Sequence, residues 1–532
     1  MKKFILLFIL FISIFSLSAC NSMREYKIEE DLLVSEELDD NFRVYYEILV
    51  GTYSDSDSDG LGDFQGLINR LDYLNDGDDS SGKSLGIEGI WLMPIMPSPS
   101  YHKYDVTNYK DIDDDYGTVD DFSQFITEAN NRGIEVIIDL VLNHTSNQHP
   151  WFKAAKQAVQ DGDYSNEYLD YYTLVTQDEK EDGHVYYQLV NGVDLYYEGN
   201  FSSSMPELNM DNPEVKDEII EIIEFWYDLG VHGFRLDAAK YVYLHDESKN
   251  IDFWNWFVSE CKEINPDTYI VGEVWSGDSE IADYYESFSN FDFGMSQSSG
   301  VITSTAKGID DVSWYFAYLN QYRNIVTNVN SEAILTPFIS NHDMNRAAGY
   351  LSLEDYTMYN AASLYMLTYG TPFIYYGEEI GMKGVRGTEN TDANRRLAML
   401  WGDRDSVTDP IGSTYDNDNQ INGTVKSHLK DKNSLYNHYK KLIMLRKANP
   451  EIARGTYTLI DFDYITFGGV LFTYNNSSVG VFHNLGDSEV TINLSNYTDY
   501  TFSVMRGYVG YGEASLDGQI LTISANTSVV LK

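Results

Sequence analysis

The sequence predicts an α/β fold: a (β/α)₈ barrel interrupted by an insert after its third strand and followed by an antiparallel β-sandwich. Three observations carry this expectation. Short apolar runs alternate with amphipathic stretches between residues 42 and 449, as parallel strands joined by crossover helices do, over a length compatible with such a barrel. One polar, Tyr-rich stretch, 145–205, breaks that rhythm. From residue 450 onward, short alternating segments are joined by Asn, Gly and Ser turns, which reads as a separate β-domain.

Residues 1–19 precede the fold. Lys2 and Lys3 are followed by an apolar run from Phe4 to Phe15 and then by small residues, the pattern of a secretory signal. Leu17-Ser18-Ala19-Cys20 resembles the bacterial lipobox, which implies cleavage before Cys20 and a diacylglycerol on its sulfur; an uncleaved anchor helix is the alternative. Residues 20–41 are acidic and poor in aromatics, a flexible lipidated tether. The expected location is the extracellular side of a bacterial membrane, reached only through the lipid. Cys261 is then left without a disulfide partner. It lies in the helical pattern Phe253–Ile264 and reads as a buried structural thiol.

The barrel is expected over 42–144 and 206–449, with the inserted subdomain at 145–205. Strand candidates are Val44–Val50, Gly89–Ile95, Glu135–Leu142, Gly233–Ala238, Tyr269–Val274, Ala333–Ile339 and Thr371–Tyr376. The clearest helix is Pro213–Leu229. Asn212 suits the N-cap, Pro213 the first turn and Gly230 the stop, while Ile219, Ile222, Ile223 and Trp226 recur at helical spacing. The sandwich, 450–532, holds Thr456–Asp461, Val470–Tyr474, Val479–Phe482 and Val490–Leu494.

Net charge is −47, from 83 acidic and 36 basic residues. Such a field repels nucleic acid and anionic lipid and suits a neutral substrate.

Chemistry concentrates at strand ends. In Gly233-Phe234-Arg235-Leu236-Asp237, alternation puts Arg235 and Asp237 on one face. A cation beside a carboxylate keeps it ionised, as a nucleophile requires; a structural ion pair is the plainer reading. Glu273 ends the apolar run Ile270–Gly272, where burial would raise its pKa and let it donate a proton. His342 and Asp343 close a further run, and Asp139 and His144 flank another. No zincin spacing accompanies the histidines, so they read as hydrogen-bond donors to substrate hydroxyls.

Four segments in this order, DLVLNHT at 139–145, GFRLDAAK at 233–240, GEVW at 272–275 and SNHD at 340–343, resemble the region motifs of the α-amylase family, glycoside hydrolase family 13. MPELN at 205–209 resembles the auxiliary motif of members intermediate between oligo-1,6-glucosidases and neopullulanases. The resemblance implies Asp237 as nucleophile, Glu273 as acid/base, and Asp343 binding substrate and helping to keep Glu273 protonated. It implies that Arg235 orients Asp237, that His144, His342, Tyr104 and Asp105 build the subsite of the attacked sugar, and that Lys240 reaches the leaving-group side. The chain departs from the family pattern at Glu207 (commonly Asp), Tyr241 (His) and Lys103 (Gly); the last two are expected to alter the cleft.

Asp55-Ser56-Asp57-Ser58-Asp59-Gly60-Leu61-Gly62-Asp63 places oxygens at alternating positions around a Gly turn, as the start of an EF-hand loop does, but Gly66 stands where the closing Glu belongs. The loop resembles the calcium site of oligo-1,6-glucosidase-like members. The expected cofactor is Ca²⁺ on Asp55, Asp57, Asp59, the Leu61 carbonyl and Asp63. The family also implies a second Ca²⁺ at Asn143. The favoured function is endohydrolysis of α-1,4 bonds in starch or maltodextrin by a monomer. The alternatives are an exo-acting, α-1,6-acting or transglycosylating relative, and a non-catalytic sugar-binding lipoprotein, against which retention of Asp237, Glu273 and Asp343 speaks.

Overall fold

The computed structural model describes residues 27–28, 40–388, 391–416 and 422–532. The signal segment, Cys20 and most of the expected tether lie outside the described residues.

The larger body is a parallel sheet curled into a barrel. Its strands are β1 (Tyr45–Ile48), β2 (Gly89–Leu92), β3 (Glu135–Leu140), β4 (Gly233–Leu236), β5 (Tyr269–Gly272), β6 (Ser289–Asn290) and β7 (Phe373–Tyr375). They run side by side in the order β6-β5-β4-β3-β2-β1-β7. The gap between β6 and β7 is closed by 335–339. Thr336 bridges Phe291 in parallel, and the amides of Thr371 and Phe373 donate to the Leu335 and Pro337 carbonyls at 2.7 and 3.1 Å. Ala333–Ile339 was expected to be a strand. It forms an irregular eighth stave instead, because Pro337 has no amide to give to a ladder.

Close approach between strands dictates local sequence. A Cβ on Gly233 would lie 1.8 Å from the Tyr269 carbonyl, so β4 meets β5 only through glycine. The helix Pro213–Asp228 starts on Asn212, whose side chain accepts from the Glu214 amide, and it buries Val215, Ile219, Ile222, Ile223 and Trp226 against the barrel. Gly230, at φ +89°, then turns the chain back toward β4. Cys261 is free and buried in the helix Glu247–Ile264, and burial pushes its thiol up to about 12.

The insert folds as the helix Pro150–Asp161 and a small antiparallel sheet in which Tyr196–Glu198 lies between Leu174–Val175 and Tyr186–Gln188. The C-terminal domain pairs a six-stranded sheet with the three-stranded sheet Val490–Asn493, Ile520–Ile523 and Ala514–Asp517. Phe467, Phe482, Phe502, Leu521, Ile523 and Val529 fill the space between them. Within the stretch expected as tether, Lys27–Ile28 forms the outer strand of the larger sheet, opposite Tyr508 and Gly507. Among the described residues, no helix is long and apolar enough to cross a membrane.

Candidate active site

At the C-terminal end of the barrel, one guanidinium gathers three carboxylates. Arg235, on β4, is fully buried. Its Nη1 lies 2.8 Å from Asp139 Oδ1 and 2.8 Å from Asp237 Oδ1, and its Nη2 lies 3.0 Å from Glu273 Oε2. A planar, always-charged fork suits this shared role where a point charge would not. Asp237 follows β4 directly. The next residue, Ala238, takes the left-handed φ of +47°, and its amide donates to Glu273 Oε2 at 3.1 Å. The strained turn therefore ties the two acids together.

Their surroundings differ in proton affinity. Burial raises Glu273 above the usual carboxylate range; Arg235 opposes the rise, while Asp237 and Asp343 add to it. Burial also drives Asp343 upward, but His342 and Arg396 outweigh it and hold Asp343 well below that range. Arg396 Nη2 stands 2.8 Å from Asp343 Oδ1, and His342 Nε2 stands 2.9 Å from Oδ2. His342 itself is pulled down by burial and pushed up more strongly by Asp343 and Glu47, to about 9. Burial lifts Asp139 to about 7 against the pull of Arg235. Glu273, which holds its proton, beside Asp343, which gives its own up, is the division of labour acid–base chemistry requires.

Tyr104 donates to Asp139 Oδ2 at 2.9 Å and stacks on His342, the rings 5.6 Å apart and 16° from parallel. His144 Nε2 lies 3.2 Å from the Tyr104 carbonyl, and burial keeps this imidazole neutral. Tyr104, His144, Asp237, Glu273 and Asp343 all open onto one cleft of about 840 Å³.

Not every expected residue reaches it. Asp105 turns away and accepts from the Ser98 and Ser100 hydroxyls. Lys240 stands outside the cleft wall, 3.7 Å from Glu280 Oε1. Lys103, whose presence in place of glycine was expected to alter the cleft, does not enter it. It adopts a φ of +63°, which explains a glycine preference there, and its buried Nζ pairs with Asp113 at 2.9 Å and Asp115 at 3.2 Å. Tyr241 does line the cleft. So do residues that sequence reasoning did not single out: His102, Phe201, Asp392 and Arg396. His102 stands two residues before Tyr104, and that spacing could have marked it. Arg396 lies outside any motif and could not be found without the fold.

In the acidic loop, Asp55, Asp57 and Asp63 bring carboxylate oxygens within 4.8 Å of one another. Such oxygen donors fit a hard divalent cation. Asp59 is outside this group and accepts from the Leu61 amide at 2.8 Å. Among the described residues, the buried Asn143 Oδ1 meets no hydrogen-bond partner; it lies close to the buried Glu207, whose carboxyl burial lifts to about 8.

Fold and site together define a (β/α)₈-barrel protein with carboxylates gathered in an open cleft. Residues 47–455 match the family model "Alpha amylase, catalytic domain", and the chain belongs to the α-amylase family, glycoside hydrolase family 13. It is 38% identical over 462 residues to Alpha-amylase 3 of Dictyoglomus thermophilum, covering 85% of this chain and 86% of that one. It is 31% identical over 468 residues to the 4-alpha-glucanotransferase of Thermotoga maritima, covering 84% and 96%. Among solved structures, Eubacterium rectale Amy13B superposes with a TM-score of 0.87 at 36% identity, covering 96% of this chain and 99% of that one.

Proposed function

We propose that the protein is a retaining α-glucan hydrolase that cleaves α-1,4 bonds of starch and maltodextrins. Asp237 attacks the anomeric carbon while Glu273 protonates the departing glycosidic oxygen. Glu273, now a carboxylate, takes a proton from the water that displaces Asp237 from the sugar. Asp343 holds hydroxyls of the attacked ring, with Tyr104 and His144 beside it; His342, expected to touch the sugar, is fully buried and acts on it only through Asp343. The observation that carries this reading is the sharing of Arg235 by Asp237 and Glu273, which sets nucleophile and acid side by side at one cleft wall. Asp237→Asn and Glu273→Gln should each abolish release of reducing sugar from starch while leaving a cooperative unfolding transition. Near-wild-type turnover in either variant would overturn the assignment.

A second reading, transfer to another glucan instead of water, draws on the aromatic rings at the cleft. Phe201 and Trp275 are 46% and 39% exposed and offer faces on which an acceptor sugar can stack. It also draws on the glucanotransferase relative. Maltoheptaose separates the two: hydrolysis gives only shorter chains, transfer gives longer ones as well. Pullulan and isomaltose separate α-1,4 from α-1,6 action in the same assay.

Asp55, Asp57, Asp63 and the Leu61 carbonyl would hold Ca²⁺, which would cross-link the loop and take no part in the reaction. Lipid on Cys20 holds the enzyme, as a monomer, at the outer face of a bacterial membrane. Metabolic labelling with a lipid precursor tests this; absence of label from Cys20 rejects it.

A further inference from the structure

Glu47 is a buried acid to which the mechanism above gives no role. It sits on β1, facing Trp91 of β2 and Tyr375 of β7 in the sheet register. Its side chain is 2% exposed, and its Oε1 lies 2.5 Å from Nδ1 of the fully buried His342. The other ring nitrogen, Nε2, is 2.9 Å from Asp343 Oδ2 and 2.7 Å from the Tyr104 hydroxyl. One imidazole thus stands between two carboxylates from opposite parts of the chain. A neutral imidazole has a single N–H and cannot donate to both; only the imidazolium can.

We infer that Glu47 is a positioning residue for catalysis: by accepting the Nδ1 proton it holds His342 as an oriented cation, so that Nε2 donates to Asp343 and keeps that carboxylate aligned and ionised for the substrate. The inference rests on the glycosidase reading of the cleft. Other groups facing His342 do not replace Glu47. Asp139, on β3, is already engaged by Arg235 and Tyr104. Glu273 is held by Arg235 and the Ala238 amide. Arg235 and Arg396 are themselves cations and oppose protonation of the ring; Arg396 Nε donates to the His342 carbonyl at 3.2 Å. Without the Glu47 charge, Asp343 alone opposes the desolvation that pulls the ring toward neutrality.

Histidine ¹⁵N resonances of the full chain, followed against pH, test this directly. The His342 signals are assigned by their loss in a His342→Gln variant. Glu47→Gln keeps the shape and removes the charge, and should lower the His342 midpoint by about one pH unit or more. Glu47→Asp keeps the charge one methylene further off and should give an intermediate midpoint, which preserves the test if the glutamine variant does not fold. On starch, the ratio of variant to wild-type kcat/KM should fall about fivefold or more from pH 6 to pH 9 as the variant's ring loses its proton. A merely structural Glu47 would lower that ratio equally at every pH. An unchanged His342 midpoint in the variants overturns the inference, whether or not the protein hydrolyses starch. Absence of hydrolysis by wild type would reject the glycosidase reading and leave the ring titration to judge Glu47.

Discussion

Arg235 reaches Glu273 with one terminal nitrogen, 3.0 Å from Oε2, while its other terminal nitrogen is committed to Asp139 and Asp237. The acid that must keep a proton is therefore fixed in place by the same cation that pairs with Asp237. Burial, and not the absence of a positive partner, lets Glu273 hold its proton.

Arg235→Lys should reduce kcat/KM on starch by about 100-fold or more, because a single ammonium cannot hold three carboxylates in fixed directions. Arg235→Met leaves them buried without a counter-charge and should cost about 3–5 kcal/mol of stability. Steady-state kinetics and guanidinium unfolding measure the two effects.

His102 should matter to the reaction although no motif marks it. Its Nδ1 accepts from the Tyr104 amide at 3.1 Å, and burial keeps the ring neutral, so the ring proton is on Nε2. His102→Ala should lower kcat/KM about 10- to 100-fold with little change in unfolding. An unaltered kcat/KM would remove His102 from the substrate site.

How far the sequence revealed the site follows from where its information is local. Asp237, Glu273 and Asp343 could be read because each ends an apolar run, and strand ends are where a barrel exposes functional groups. Asp105 was misplaced because adjacency to Tyr104 says nothing of direction: successive residues in this turn face opposite ways, and His102, not Asp105, lines the cleft. Strand β6 was missed for a related reason. Its Ser289-Asn290 core is polar, with Asn290 buried, so no apolar run announces it. Arg396 acts from a loop distant in sequence, and only tertiary structure brings it to Asp343.

Glu378 makes stability pH-dependent. It is buried, its Oε1 accepts from the Tyr365 and Tyr439 hydroxyls at 2.7 Å, and burial, partly offset by those hydrogen bonds, raises its carboxyl to about 7. A folded-state pKa above the unfolded value of roughly 4.3 favours the protonated fold. The contribution is fully present below the unfolded pKa and is lost as pH rises through about 7. Glu378→Gln can keep both tyrosine bonds and donate to Ser340. It should flatten the decline in stability between pH 5 and 8, by roughly 3 kcal/mol, in urea unfolding across that range. Equal slopes for variant and wild type would contradict this.

Calcium should stabilise the chain through the loop after β1. Asp63 also caps the helix Phe64–Leu74 by accepting from the Gly66 amide at 2.7 Å, so its removal would confuse two effects. Asp57 accepts only the Asp59 amide in its own loop, at 3.1 Å, and is the cleaner test. Wild-type Tm should rise with added Ca²⁺ and fall with a chelator by about 4 °C or more, as mass action on a bound folded state requires. Asp57→Ala should lose most of that response. An identical Tm in calcium and in chelator would reject the site.

The stereochemistry of the first product tests the assignment of Asp237 and Glu273 most directly. Proton NMR of maltoheptaose digested by the wild-type enzyme, recorded before mutarotation, should show the new reducing end as the α-anomer. Asp237→Asn should show no new signal on the same timescale. Initial release of the β-anomer would mean a single inversion with no glycosyl–Asp237 intermediate, and would contradict the account.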